Sequence, residues 1–67
     1  MKEEIFKGVW AYIERNPITN EMVATIKAEG HEEFKITYMP GEMTLKKLQR
    51  AVSKRLWPQE RDVNNAI

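Results

Sequence analysis

The hydrophobic period of this chain changes once, across "MPGEMT" (Met39–Thr44). Before that break apolar residues recur at every second position, and after it they recur every three or four. The first period belongs to strands and the second to a helix. The chain is therefore bound to an α+β arrangement, with its strands first and one helix last. Pro40 and Gly41 make the break, since one lacks an amide donor and the other is the least costly residue at a bend.

The strand half divides into three. From Ile5 to Ile13 the text "IFKGVWAYI" is rich in β-branched and aromatic residues, with both alternate faces largely apolar. That predicts a strand over about 4–14 with partial cover on both sides. "RNPITN" (Arg15–Asn20) is a turn, with Pro17 and two asparagines suited to bends. Met22, Ala24, Ile26 and Ala28 then alternate with Val23, Thr25, Lys27 and Glu29, which predicts a half-buried strand over 21–29. Gly30 in "EGH" supplies the positive φ of a tight hairpin. The third strand, over 32–39, sets Phe34, Ile36 and Tyr38 against Glu33, Lys35 and Thr37. Short links between successive strands favour a meander.

Thr44 is a good N-cap for the helix that follows, over 44–57. The capping box is incomplete, because Lys47 stands where a glutamate would close it. At 100° per residue Leu45, Leu48, Val52 and Leu56 share a narrow sector with Ala51 beside them, and this stripe packs on the sheet. Pro58 marks the end. Residues 58–67 read either as one more helical turn, with Val63, Ala66 and Ile67 at compatible spacing, or as a frayed, disordered tail. The expected fold is thus a three-stranded antiparallel β-meander followed by one C-terminal amphipathic α-helix (β-β-β-α), a single domain over 1–67.

Size limits what such a domain can do. A chain of 67 residues buries only about 60% of the surface its unfolded form exposes. Without cysteine it has neither a disulfide nor a thiolate zinc site to compensate, which leaves a well-packed monomer or a homodimer. Lys2, Glu3 and Glu4 follow Met1 with no apolar stretch behind them, so no signal peptide and no membrane span are expected, and the expected location is cytoplasmic.

The net charge of +1 conceals a split. Residues 1–42 hold five basic side chains and eight glutamates, a net of −3. Residues 43–58 hold Lys46, Lys47, Arg50, Lys54 and Arg55 with no acid, a net of +5. On the helical projection Lys46, Lys47, Arg50, Ser53, Lys54 and Trp57 fall within about 120° of one another, opposite the leucine stripe. That face is a footprint for a polyanion: the cations neutralise phosphates, and Trp57 stacks on a splayed base or a sugar. The plain alternative is a solvated helix rich in good helix formers, with its charge balanced by Glu29, Glu32 or Glu33 and Trp57 at the core margin. The absence of acids weighs against it, since solvated helices gain from mixed charges at i, i+4.

A secondary surface is the open side of the sheet. If Ile5, Val9, Ala11 and Ile13 face the helix, then Phe6, Trp10 and Tyr12 face away and share that side with Lys27 and Lys35. Aromatics interleaved with lysines stack bases in several single-strand binders. The alternatives are that a one-residue slip buries the aromatics in the core, or that Trp10 or Tyr12 forms a dimer interface. "EGHEE" (Glu29–Glu33) carries the only histidine, but alternate side chains of a hairpin splay apart. It reads as a solvated tip with no metal site.

No nucleophile–base pair, phosphate loop or HExxH motif is present in the sequence, so no catalytic residue and no cofactor are expected and the chain does not read as an enzyme. In topology alone the order is similar to the three-stranded-sheet-plus-helix DNA-binding modules at the N-termini of some phage-type integrases. Trp10 and Tyr12 in the first strand and the basic helix are the shared features. Those modules dock the sheet into the major groove, whereas this sheet half nets −3, and no residue is carried over. The residues themselves point to a non-enzymatic nucleic-acid-binding or regulatory module using Lys46, Lys47, Arg50, Lys54 and Trp57. The alternative is a protein-interaction module, an accessory or inhibitor protein that binds through a sheet edge or its aromatic face.

Overall fold

The computed structural model describes residues 1–58, in which a four-stranded antiparallel sheet is backed by one helix. The elements are β1 (Lys2–Phe6), β2 (Val9–Arg15), β3 (Met22–Ala28), β4 (Phe34–Tyr38) and α1 (Leu45–Leu56). The strands lie in the sheet in chain order, which makes β1 and β4 its two edges. The alternative of a helical turn or tail over 58–67 lies, past Pro58, outside the described residues.

The sheet has four strands rather than three. The stretch expected as one strand over 4–14 is β1 and β2, joined by Lys7 and Gly8. Its apolar residues run on across the turn, so hydrophobic pattern alone hides it. Gly8 sits at φ 79°, a conformation that costs other residues energy, and its N–H donates to the Glu4 carboxylate at 3.1 Å.

The same hairpin corrects the side assigned to Phe6. The β1–β2 register shifts between Glu4 and Phe6, so Phe6 comes opposite Val9. Val9 faces the core, and opposite residues of an antiparallel pair share a face. Phe6 therefore packs against the core beside buried Ile5, while Trp10 and Tyr12 face the other way.

Polar loop chemistry holds the remaining links. The Asn16 side-chain oxygen accepts from the N–H groups of Ile18 at 2.9 Å and Thr19 at 3.3 Å, an Asx turn. Between β3 and β4, Gly30 adopts φ 82° and the His31 N–H donates to the Ala28 carbonyl at 3.1 Å.

The core is the layer between α1 and one sheet face. Ile5, Val9, Ala11, Ile13, Ala24 and Ile26 are buried beneath Leu48, Val52 and Leu56. Ala11 and Ala24 are completely covered, and their small side chains leave room for the helix to seat closely. Leu45 departs from the expected stripe: as the first residue of α1 it stands 47% exposed at the rim. Thr44 caps the helix by accepting the Lys47 N–H at 3.2 Å. Trp57 closes it by donating its N–H to the Ser53 carbonyl at 2.8 Å.

Side chains tie α1 to both sheet edges. Gln49 Nε2 donates to the Ile5 carbonyl of β1 at 2.7 Å, and Trp57 meets Phe6 edge-on at 5.5 Å. On the far side the Arg55 guanidinium lies 4.5 Å from the ring centre of Phe34 in β4. No helix of the described residues is long and apolar enough to cross a membrane.

Candidate nucleic-acid interface

The buried stripe of α1 fixes what its outer side presents. With Leu48, Val52 and Leu56 against the sheet, Lys46, Lys47, Arg50 and Lys54 project outward, and all four are exposed. Lys46, Arg50 and Lys54 follow one another at four-residue steps, each rising about 6 Å along the axis. Ser53 lies among them, its hydroxyl donating to the Arg50 carbonyl at 3.0 Å.

Charge on this face is uncompensated among the described residues. The one ion pair there is Lys27–Glu33, at 3.9 Å, on the sheet rather than the helix. The first turn of α1 holds Lys46 and Lys47 and no acid. Cations at that end oppose the helix dipole, at a cost of roughly 0.3–1 kcal/mol each when exposed and at low salt. The helix dipole therefore gives no reason for these two lysines.

Arg55 differs from the other four. Its guanidinium stacks on Phe34 and lines a depression with Glu32 and Glu33, so the acidic hairpin tip lies near it. Balance by the acidic half of the chain thus applies to Arg55 and not to the outward column. Trp57 leaves the outward face on which the helical projection places it: as the C-cap it has a non-helical φ of −133°, and its ring meets Phe6 on the helix side of the sheet, 36% exposed at the core margin. The ring serves the core and still offers surface to solvent.

The secondary surface is assembled as well. Register places Lys2, Tyr12, Thr25 and Lys35 in one row across the open face, with Glu4, Trp10 and Lys27 in the next. The Lys2 ammonium lies 4.5 Å from the Trp10 ring centre and 5.5 Å from that of Tyr12. The Lys27 ammonium lies 5.1 Å from Tyr12. These lysines already occupy the ring faces, each contact worth about 0.5–1 kcal/mol at an exposed site. The carboxylates of Glu4, Glu14 and Glu33 offset Lys2, Lys27 and Lys35, leaving this face neutral.

Lys2 and Glu4 were not legible as members of that face. Their placement depends on the hairpin at Lys7–Gly8, and the Lys-Gly pair between two apolar runs was the available signal. In comparisons with known proteins, no family model, no curated protein and no solved structure matches this chain.

Proposed function

We propose that this chain is a non-enzymatic nucleic-acid-binding module, acting directly or as a regulatory element, whose contact surface is the outward face of α1. One observation carries the reading: Lys46, Lys47, Arg50 and Lys54 share an exposed face and have no ion-pair partner among the described residues. Unpaired cations in a column neutralise successive phosphates and release counterions. Trp57, 36% exposed at the core margin beyond the last turn, adds a ring beside that face rather than on it.

The test is binding to labelled single-stranded DNA, duplex DNA and RNA at about 50 and 200 mM salt. Four phosphate contacts on duplex DNA give a slope of roughly −3.6 in log K against log salt, a loss of about 150-fold over that range. An Arg50→Glu/Lys54→Glu variant folds normally, both sites being exposed, and loses the binding. Absence of binding at the lower salt, or a flat salt response, would overturn the reading.

A second reading, a protein-interaction module, draws support from the open sheet face. Half-buried Trp10 and Tyr12 sit among charges that cancel. An aromatic centre with a mixed polar rim suits a protein surface better than a polyanion. Its mark is a partner whose affinity falls with Trp10→Ala and is indifferent to Arg50→Glu/Lys54→Glu.

A further inference from the structure

The two edges of the sheet are treated differently. On β1, Lys2, Glu3 and Glu4 supply three charges, the register is interrupted between Glu4 and Phe6, and the Ile5 carbonyl is occupied by Gln49. Charges, irregular register and covering groups are the means by which edges avoid pairing with other chains. Over "FKITY" β4 carries Lys35 as its one charge and keeps a regular register with β3, and although Arg55 stacks on the Phe34 ring, no side chain bonds to the β4 backbone among the described residues. No backbone hydrogen bond from its outer edge occurs among the described residues.

We propose that β4 pairs antiparallel with β4 of a second copy of this chain, about a two-fold axis at Ile36. The sequence of β4 is self-complementary in that register. Ile36 meets Ile36 of the other copy, Phe34 meets its Tyr38, and Lys35 meets its Thr37. No like charges oppose one another. Phe34, Ile36 and Tyr38 lie on the helix side of the sheet and are only half-buried in the single chain. Pairing continues that apolar row across the axis. Arg55 covers one face of Phe34, so Ile36 and the free ring edges provide most of the apolar contact. Pro40, two residues beyond Tyr38, limits the pairing to this short strand.

Antiparallel pairing keeps the faces of both sheets in common, so the product is an eight-stranded sheet with two helices on one side. Both basic columns then point the same way, which doubles the cationic footprint. The pairing itself stands independently of what α1 binds.

The test is sedimentation velocity of the full chain, without nucleic acid, from about 10 μM to 1 mM. A concentration-dependent dimer is expected. Thr37→Lys, at an exposed site, sets the introduced ammonium against Lys35 of the other copy, and the two-fold axis repeats that repulsion. It weakens dimerisation on the order of tenfold with an unchanged circular dichroism spectrum. Adding Lys35→Glu converts both repulsive pairs into attractive ones and restores association. A monomer throughout the range, or a dimer that Thr37→Lys leaves intact, overturns the proposal.

Discussion

Gln49 Nε2 donates to the main-chain carbonyl of Ile5 at 2.7 Å, a bond between residues 44 positions apart that fastens α1 to the edge strand β1. The bond is partly buried, so Gln49→Ala leaves a carbonyl short of water and of a partner. Such a loss costs about 1–2 kcal/mol, or roughly 4–16 °C in melting temperature for a domain of this size. Gln49→Glu is expected to be worse, because a carboxylate faces the carbonyl. Thermal melts of both variants check this, and equal stability with the parent would mean that water replaces the bond.

Gly8 carries the turn that makes one apparent strand into two. A Cβ there meets nothing within 4 Å, so Gly8→Ala tests backbone conformation without a steric clash. At φ 79° alanine costs about 1 kcal/mol, and asparagine, which tolerates the left-handed region, costs less. Urea unfolding of both variants gives the order Gly, Asn, Ala. Alanine at parent stability would show that the turn relaxes to another conformation.

The positions that were legible before the structure, and those that were not, separate on physical grounds. Strict alternation in β3 and β4 and the spacing of Leu48, Val52 and Leu56 are one-dimensional signals of burial, and the sheet and helix follow them. The break at Gly8 was hidden because Ile5, Phe6, Val9 and Trp10 keep an apolar run across the turn. The side taken by Phe6 depends on a register shift, which depends in turn on that break. Leu45 has the right helical phase yet stands exposed, because phase is local and cover at the rim is a tertiary matter. The basic column was legible because its residues lie on one helix. The row of Lys2, Tyr12, Thr25 and Lys35 was not, since it joins four strands through their registers.

Tyr38 is half-buried in β4, and burial, followed by the negative charge of Glu3, raises its phenol above the ordinary 10.0. A raised folded pKa makes the neutral phenol stabilising. That contribution is fully present below pH 10 and is lost as pH climbs through the folded value. Ultraviolet titration of a Tyr12→Phe variant isolates Tyr38 and is expected to give a midpoint above 10.0. Adding Glu3→Gln lowers it, and an unmoved midpoint would leave burial as the sole cause.

Lys47 separates what the helix needs from what its surface does. Thr44 already accepts the Lys47 N–H, so Lys47→Glu supplies the missing half of a capping box and places an acid at the positive end of the helix. Both effects favour folding, and together they raise stability by about 0.5–1.5 kcal/mol. The same change replaces a cation by an anion on the outward face, so the nucleic acid binding proposed for it is expected to weaken and its salt slope to fall by roughly one to two. The expected variant therefore melts higher and binds less, a combination that unfolding cannot produce. Paired melting and salt-titration measurements decide it. Higher stability with unchanged binding would remove the first turn of α1 from the interface and leave Arg50 and Lys54 to carry it.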